Sequence, residues 1–526
     1  MRRTTRQLNC RMILQSQWRG VSLHAVSIWL ALTLCALTPR AGDWPQYRGP
    51  NHDGTSTETI RINWSEEPPR LLWKVSLDAA LSSFSVSGGR AFTQVRRLHE
   101  GVEQEWCVAL NAETGQELWA VPLGIADYPD GGVGGDDGPR STPSVDGGHV
   151  FVFTSYLRLV CLDAATGQDI WSKDFVAEYG SNVIDWQNAA SPLIVGDLIF
   201  VNGNASGARL TAVRKQDGSV AWRRHDDRMT QASPIAATLA GVPQIIFFAQ
   251  SGLVSVAPQT GAVNWRFPFS FSTSTAASPV VGGDMVYCSA AYGRGAGAAR
   301  ITKNGASLAA TELWKTTGAN MNHWSTPVHR NGFIYGIYGQ GNSGPLSVQF
   351  RCHDMATAEE KWRYTGHGRG GVLFVADHLL VLAEDGQVVL VKPDPTAYTE
   401  VARFKAVTGK CWNVPAIANG RLYVRSTRQA AAYDIAPKVL APLTVLPRLS
   451  AGGGKFTLTI STADGSPLDA SRVAAIDILT TADLLAPLAS WANVSASAVL
   501  ADGQFRLEDL QSASTSQRFY RVEERR

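Results

Sequence analysis

Polar, cationic and aromatic side chains recur at one position of this sequence, in short segments that each precede a strand-like apolar run. A guanidinium there offers paired donors to a carboxylate or sulfate, and an indole offers a face on which a sugar or planar ring can stack. The residues that we assign to this predicted ligand-binding site are Arg140, Asn188, Gln231, His323, Trp324, Arg369 and Asn413. His323 is expected to be a donor or pH-sensitive contact rather than a metal ligand, because no second His occupies a neighbouring position. The pattern contains no catalytic residue that we can assign.

Three short motifs resemble known sites but lack the context that those sites need. Residues 366–371 (GHGRGG) fit a dinucleotide-binding glycine pattern, yet they lie between strands and open no helix. Residues 341–345 (GNSGP) resemble a serine-protease turn without the accompanying His and Asp. Residues 131–137 (GGVGGDD) fit one copy of a calcium repeat that works only in stacks. We therefore expect loops at all three, and we predict no metal site.

The elements that must position the binding residues are repeated hairpins ending in Trp. Six copies are VALNAETGQELW, VCLDAATGQDIW, AVRKQDGSVAW, SVAPQTGAVNW, ITKNGASLAATELW and CHDMATAEEKW. The turns contain Gly115, Gly167, Gly218 and Gly261 where a hairpin needs a positive φ. We interpret the Trp residues as structural, because one bulky side chain per outer strand fills the wedge between neighbouring sheets. They are Trp73, Trp119, Trp171, Trp222, Trp265, Trp314 and Trp362.

A second hairpin, often opened by Ser-Pro or Thr-Pro, precedes each Trp hairpin. Its eight copies begin at residues 83, 142, 191, 233, 278, 326, 371 and 414. Each repeat therefore holds four strands, and Trp spacings of 43 to 52 residues are typical of a propeller blade. The last repeat ends at 430–435 without an outer strand, and residues 70–75 (RLLWKV) form a strand without a repeat. The sequence predicts an all-β, eight-bladed β-propeller over residues 43–437, closed by that N-terminal strand.

Charge and the N-terminus bear on location and partners. The total is +3, but residues 1–42 contain six of the 48 basic residues and no acid, which leaves 42 basic against 45 acidic residues. A near-neutral remainder lacks the basic surface that nucleic-acid binding requires. The apolar run 21–37 between arginines and small residues predicts a signal peptide over residues 1–42, with a retained anchor as the alternative. We expect export to the periplasm or outer envelope of a bacterium, and no transmembrane segment after cleavage.

The five cysteines beyond the signal are isolated. Cys107 and Cys161 lie in apolar strand patterns, where a free Cys behaves as a small hydrophobe. An odd and widely spaced set predicts no disulfide framework, and the absence of a Cys-x-x-Cys pair excludes a zinc ribbon and covalent haem.

The composition changes after Pro437. Short alternating segments separated by Gly, Asp, Ser and Pro fill residues 438–526. They predict a small β-sandwich-like domain, joined to the propeller through residues 436–446.

The TGxxxW hairpins, the Ser-Pro strands and the opening DWPQYRGPNHDGTS (43–56) resemble exported proteins with quinoprotein-type, PQQ-like β-propeller repeats. That resemblance covers about residues 43–437. The family contains quinoprotein alcohol dehydrogenases, which hold pyrroloquinoline quinone and calcium, and non-enzymatic relatives such as the propeller lipoprotein of the outer-membrane β-barrel assembly machinery. Dehydrogenases of the family typically carry adjacent cysteines, an acidic calcium ligand set and often a haem motif. This chain has no Cys-Cys and no haem motif.

Two function classes remain open. The leading one is an exported, non-enzymatic binding or scaffold protein that recognises an envelope protein or a small carbohydrate-like ligand at the channel face, acts as a monomer and needs no cofactor. The alternative is a periplasmic PQQ-dependent dehydrogenase of alcohols or sugars with a degenerate site. The seven site residues are also compatible with a channel mouth that is polar only because it is filled with water.

Overall fold

The structure is a computed structural model that describes residues 42–128, 137–271, 275–340, 347–438, 440–449, 456–509 and 518–525. All but the last residue of the predicted signal, residues 131–136 of the calcium-like motif and the turn at 341–345 lie outside these ranges. The chain divides into two compact units, and the boundary lies between Pro437 and Lys438. Nearly all regular structure in the described ranges is β-strand. None of the helices found there has the length and apolar character needed to cross a bilayer.

Within the described residues, the first unit contains eight sheets in succession, and the strands of each repeat pair antiparallel. Two strands come before the repeats, β1 (Thr55–Ser56) and β2 (Arg70–Ser76). Sheet 1 comprises β3 (Ser85–Ser87), β4 (Arg90–His99), β5 (Val102–Asn111) and β6 (Glu117–Ile125). Sheet 2 comprises β7 (Ser144–Asp146), β8 (His149–Phe153), β9 (Arg158–Asp163) and β10 (Asp169–Asp174), and a short helix, α1 (Phe175–Tyr179), follows it. Sheet 3 comprises β11 (Leu193–Val195), β12 (Leu198–Asn202), β13 (Leu210–Arg214) and β14 (Val220–Arg224). Sheet 4 comprises β15 (Ile235–Leu239), β16 (Val242–Ala249), β17 (Gly252–Val256) and β18 (Val263–Pro268).

The remaining four sheets of this unit follow the same order. Sheet 5 comprises β19 (Val280–Gly282), β20 (Met285–Ala290), β21 (Gly295–Asn304) and β22 (Ser307–Lys315). Sheet 6 comprises β23 (Val328–Arg330), β24 (Phe333–Tyr338), β25 (Gln349–Asp354) and β26 (Glu360–Tyr364). Sheet 7 comprises β27 (Gly371–Val375), β28 (His378–Leu382), β29 (Gln387–Val391) and β30 (Glu400–Lys405), with β1 added in parallel to β27. Sheet 8 comprises β31 (Ala416–Ala418), β32 (Arg421–Arg425) and β33 (Gln429–Asp434), and its outer strand is β2.

The pairing of β2 with β33 confirms the prediction that residues 70–75 complete the last repeat. Trp73 lies opposite Ala432, and Arg70 lies opposite Asp434. Sheet 8 is also fastened to sheet 1 by Arg425, which is fully buried and donates to the Thr93 hydroxyl at 2.7 Å and to the Gln94 carbonyl at 2.8 Å. The chain therefore joins its first and last sheets through both a strand and a side chain.

Four of the repeated Trp residues pack over glycines of the next sheet, which gives a reason for the glycines. The ring of Trp119 lies over Gly167 of the next sheet, and its Nε1 donates to the Ala164 carbonyl there at 3.2 Å. A Cβ at Gly167 would come within 2.8 Å of that ring, and its φ is +77°. The same arrangement joins Trp73 to Gly115, Trp171 to Gly218 and Trp222 to Gly261. Trp314 and Trp362 donate to the carbonyls of Met355 and Asp394 in the next sheet, with no glycine under the ring. Trp265 differs further, because its Nε1 donates to Gln244 of its own sheet at 2.6 Å.

Four of the Ser and Thr residues that precede a Pro link neighbouring sheets. The hydroxyl of each accepts the backbone N–H of the corresponding residue in the preceding sheet, and the distances lie between 2.8 and 3.0 Å. The pairs, donor first, are Ser83 to Thr142, Thr142 to Ser191, Ser191 to Ser233 and Ser278 to Thr326. Val414 N donates to the Ser83 hydroxyl at 3.1 Å, which joins sheet 8 to sheet 1 in the same way.

The second unit, from Lys438 onward, has two antiparallel sheets. One contains β34 (Leu443–Leu449), β35 (Phe456–Thr462), β38 (Ala498–Ala501) and β39 (Gln504–Asp509). The other contains β36 (Ile476–Thr481), β37 (Ala492–Asn493) and β40 (Phe519–Glu524). A helix, α2 (Ala470–Val473), and a 3₁₀ turn, Ser495–Ser497, lie on the connections between the two sheets, and a further 3₁₀ turn, Leu488–Ser490, lies between β36 and β37. Leu458 and Phe505 of the first sheet share an apolar cluster with Ile478 of the second.

Candidate functional site

The segments just ahead of the first strand of each sheet, here called the lead-in segments, carry the predicted site residues. Those of sheets 6 and 8 meet through two tryptophans, Trp324 and Trp412, whose rings stack at 4.7 Å with 23° between their planes. His323 packs on Trp324 at 4.6 Å, and Tyr292 packs on His323 at 5.0 Å. Four aromatic rings therefore form one continuous surface across these segments.

Arg369, from the lead-in segment of sheet 7, joins this aromatic surface. Its guanidinium carbon lies 5.4 Å from the centre of the Trp412 ring, within cation–π range. Glu384 holds both residues, because it accepts from Trp412 Nε1 at 2.8 Å and from the Arg369 backbone N–H at 2.9 Å. The Arg369 side chain is only 11% exposed. Packing on Trp412 and the hydrogen bonds that Glu384 accepts therefore fix the position of Arg369.

Arg140, from the lead-in segment of sheet 2, is held in a comparable way. It forms an ion pair with Asp137 at 2.7 Å and donates to the Trp186 carbonyl, and its side chain is 14% exposed. Below it, the carboxylate of the buried Glu105 accepts from the Tyr128 hydroxyl at 2.7 Å and from Ser155 N at 3.1 Å. Burial raises the pKa of Glu105 despite these bonds and the nearby charge of Arg140. The charge of Arg140 is thus compensated mainly by Asp137.

His323 connects the two arginines electrostatically. Burial lowers its pKa to about 4, and the positive charges of Arg140 and Arg369 act in the same direction. Both guanidinium groups are therefore close enough to influence the same imidazole. At neutral pH His323 is uncharged, which leaves it as a hydrogen-bonding group within the site.

Three of the predicted residues lie elsewhere in the lead-in segments. The Asn188 side chain is fully buried and donates to the carbonyls of Phe153, Thr154 and Ala190 at 3.1 to 3.3 Å, so it holds its own loop in place. Gln231 donates to the Asp185 carbonyl at 3.0 Å and to the Gln187 carbonyl at 3.3 Å, linking lead-in segments 3 and 4. Asn413 is buried beside Trp412, and neither polar atom of its amide has a partner among the described residues.

Sequence reasoning missed Trp412, although its segment GKCWNVP shows the same enrichment in polar and aromatic residues. Trp324 is half-buried and most of Arg369 is buried, more than their polar segments alone suggest. Packing against residues from other repeats causes the difference, and sequence spacing alone does not reveal it.

The opening segment, residues 43–56, is the largest feature that the sequence did not predict. It runs among the first strands of five sheets: Trp44 exchanges backbone hydrogen bonds with Val86 of sheet 1, and Pro45 accepts from Val145 of sheet 2. Gln46 accepts from Ile194 of sheet 3 at 3.2 Å, and Arg48 donates to the carbonyls of Thr326 and Pro327, which lead into sheet 6. Strand β1 then pairs with sheet 7. The segment therefore fills space between the first strands.

The carboxylates near the aromatic surface do not fit a calcium site. Asp137 and Glu384 are already occupied by Arg140, Arg369 and Trp412. Within the described residues, no three or more His, Cys, Asp or Glu side chains gather as a group that could hold a metal ion. Calcium prefers several oxygen ligands, so we derive no chemistry through a bound metal.

Comparisons with known proteins show what this chain is similar to. A family model described as outer membrane protein assembly factor BamB matches residues 103–340. The BamB of Moranella endobia (strain PCIT) is 25% identical over 249 residues, which is 44% of this chain and 60% of that protein. The dehydrogenase subunit of the quinone-type alcohol dehydrogenase of Gluconobacter oxydans (strain 621H) is 23% identical over 279 residues, which is 50% of this chain and 31% of that protein. The matches thus span less than two thirds of either relative.

A solved structure extends the comparison at the level of the fold. The quinohemoprotein alcohol dehydrogenase from Comamonas testosteroni superposes with a TM-score of 0.54 at 13% identity, covering 78% of this chain and 83% of that one. Such low identity supports the fold alone. Together with the Trp-ended hairpins and the succession of sheets, these matches show that the chain is similar to PQQ-like β-propeller repeat proteins, among them the outer membrane protein assembly factor BamB and quinoprotein alcohol dehydrogenases.

Proposed function

We propose that the eight sheets form an eight-bladed β-propeller over residues 43–437, closed by the N-terminal strand β2. Support comes from the apolar clusters, each of which lies between consecutive sheets, and from the cluster that unites sheets 7, 8 and 1. Residues 438–526 are proposed as a separate β-sandwich-like domain, and residues 1–42 as a signal peptide. The lead-in segments would then surround one mouth of a central channel.

The function that this site supports best is non-enzymatic binding. The protein is proposed to be exported to the periplasm or outer envelope of a bacterium, and to recognise an envelope protein partner at the mouth. The observation that carries this proposal is the stacked pair Trp324 and Trp412, flanked by Arg369 and, through His323, by Arg140. Buried aromatic and Arg side chains are the residue types that dominate binding energies at protein interfaces.

Unpartnered polar atoms around the ring surface also favour binding. Trp324 Nε1 and His323 Nδ1 are buried and have no hydrogen-bond partner among the described residues, as is true of the Asn413 amide. A buried donor without a partner costs about 1–3 kcal/mol. A bound partner that reaches these atoms would remove that cost. Relatives named as outer membrane assembly factors support a protein partner over a small ligand.

Site-specific photo-cross-linking in envelope extract of the source bacterium tests this proposal. A photoreactive phenylalanine replaces Trp186, which is 44% exposed and whose carbonyl accepts from Arg140, or Leu71 of β2, which is 48% exposed. We expect discrete adducts from position 186 only, and their loss when Trp324→Ala and Arg369→Ala are added to a chain that still folds. Equal adducts from both positions, or adducts that survive the double substitution, would contradict the proposal.

The alternative, a PQQ-dependent dehydrogenase of alcohols or sugars, rests on the match to the Gluconobacter oxydans subunit. Adding pyrroloquinoline quinone and calcium to the purified protein, with an electron-accepting dye and an alcohol or sugar, tests it directly. Dye reduction that disappears in Arg369→Ala would favour the dehydrogenase and overturn the binding-only proposal. If no dye is reduced, the dehydrogenase alternative is rejected. That result would agree with the site geometry, in which Asp137 and Glu384 already bind Arg140, Arg369 and Trp412.

A further inference from the structure

A small, partly open cavity lies between the opening segment and the lead-in segments of sheets 3, 4 and 5. Arg48 and His52 line it on one side, and Ser191, Ser233 and Ser278 line it on the other. It has room for one water-sized occupant. Neither Trp324 nor Trp412 is among its lining residues, and it does not depend on the proposed function.

Arg48 brings a positive charge to this cavity without a carboxylate to neutralise it. Its side chain is 1% exposed, and its guanidinium donates to carbonyls of Thr326 and Pro327 at 2.8 Å and of Asp53 at 2.7 Å. The acid that acts on it electrostatically is Asp53, but that side chain is exposed and accepts from Thr55 N at 2.8 Å. Among the described residues, the hydrogen-bond partners of the guanidinium are these three carbonyls and not a carboxylate. Burial lowers its pKa, as expected for a cation away from water.

The opposite wall supplies hydroxyl donors. Ser191 Oγ accepts from Thr142 N, and Ser233 Oγ accepts from Ser191 N, so the proton of each hydroxyl is unused among the described residues. Ser278 Oγ is buried and has no partner at all there, and the same is true of Arg48 Nε. Three O–H groups and one N–H group on the cavity wall thus have no acceptor.

His52 completes the wall as a neutral group. Burial lowers its pKa to about 4, and its Nε2 has no partner among the described residues. A neutral imidazole can present an N–H toward the cavity and adds no second positive charge.

We propose that this cavity is a binding site for a single halide-sized anion, with chloride as the physiological occupant. An anion accepts hydrogen bonds only, which suits a wall rich in unused donors. A water molecule could fill the same space, but it would leave the buried guanidinium without a counter-charge, and an uncompensated buried charge is costly. The anion would bind the opening segment to sheets 3, 4 and 5 through one shared ligand.

Bromide is the probe that tests the site. Crystals of the full chain soaked in sodium bromide should give an anomalous peak within hydrogen-bonding distance of Arg48 Nε and Ser278 Oγ. In solution, the melting temperature should rise in a saturable way with sodium bromide or chloride, relative to sodium gluconate at equal ionic strength. No peak, or equal melting temperatures in halide and gluconate, would show that the cavity holds only water and would overturn the proposal.

Two variants and a matched control sharpen the result. Ser278→Ala removes one donor. It should raise the half-saturating halide concentration about tenfold, because a hydrogen bond to a charged group is lost. Ser85→Ala also removes a buried hydroxyl without a partner, but Ser85 does not line the cavity, so its halide dependence should match that of the natural chain. Arg48→Met should abolish the halide effect; if that variant does not fold, the Ser278 and Ser85 pair decides. Identical halide dependence in Ser278→Ala and Ser85→Ala would refute the site.

Discussion

Several buried polar side chains in this protein join one repeat to another through hydrogen bonds or ion pairs. Arg425, buried in sheet 8, fastens sheet 1, and burial lowers its pKa to about 9. Arg48 fastens the opening segment to the lead-in of sheet 6. Even in the candidate site, Arg140 and Arg369 are positioned by Asp137 and Glu384. Substituting Arg369 or Trp324 is therefore expected to reduce stability as well as binding.

Buried histidines predict acid sensitivity. Burial lowers the pKa of His353 to about 4, and both of its ring nitrogens lack partners among the described residues. An unfolded His binds its proton near pH 6.5, so the unfolded state takes up the proton first. The free energy of unfolding should thus fall as the pH drops from about 6.5 to 4.

Replacing His353 with Phe tests this expectation. His353 packs on Tyr338 with ring centres 4.7 Å apart, so an apolar ring can keep that contact. Denaturant unfolding at several pH values should show that the variant's unfolding takes up about one proton fewer in this range. If the pH slope of His353→Phe equals that of the natural chain, His353 does not titrate as described.

At the scale of elements, the outer strand of one sheet and the Trp hairpin of the next form a recurring joint. The Trp ring covers a Gly at positive φ, and the indole N–H caps a carbonyl in the same turn. Sheet 7 has Phe404 in place of Trp, and there Trp64 packs edge-on to Phe404 at 5.3 Å and Tyr433 packs on it at 4.8 Å. The space next to Phe404, which a Trp fills in other repeats, is thus occupied by Trp64 from the N-terminal segment and by Tyr433 of sheet 8.

Gly167→Ala should be more destabilising than Gly196→Ala. Both glycines have positive φ, +77° and +60°, so Ala is strained by about 1–2 kcal/mol at either position. Only at Gly167 does the new methyl also meet the Trp119 ring, whereas nothing lies within 4 Å of a Cβ at Gly196. Thermal or denaturant unfolding of the two variants measures the difference. Equal losses of stability in the two variants would mean that the packing of Trp119 does not require a glycine at position 167.

These elements also separate what the sequence predicts from what it does not. Strand-turn-strand units, the positive φ of Gly115 and the pairing of residues 70–75 follow from local pattern and from the need to cover a sheet edge. The contact of Trp324 with Trp412 depends on how far one lead-in segment is rotated from another, and that rotation is set by packing across the whole unit. The burial of Asn188 has the same origin, because its loop is held by carbonyls of sheet 2.

At the scale of the whole molecule, the first 34 residues after the predicted signal hold the unit together. Deleting residues 43–76 removes β2, and the loss of buried Trp73 alone should lower the free energy of unfolding by about 3–5 kcal/mol. Melting temperatures measure the effect.

As a matched control, a chain ending at Pro437 should melt like the natural propeller, and limited proteolysis should cut between residues 436 and 446. A deletion variant that melts normally, or a truncation that abolishes the transition, would contradict these expectations.

The pairing of β2 with β33 also fixes when the molecule can finish folding. Arg70 and its partner Asp434 are separated by 364 positions, and Arg48 and Thr326 by 278. During synthesis β2 emerges long before β33, and Trp64 long before Phe404, so Trp64 and Trp73 wait without these packing partners. Such long-range contacts slow folding and leave apolar surface open to aggregation. A ribosome-bound chain that stops before residue 429 should therefore keep residues 43–76 accessible to protease, and a helper that shields this stretch would raise the yield of refolding.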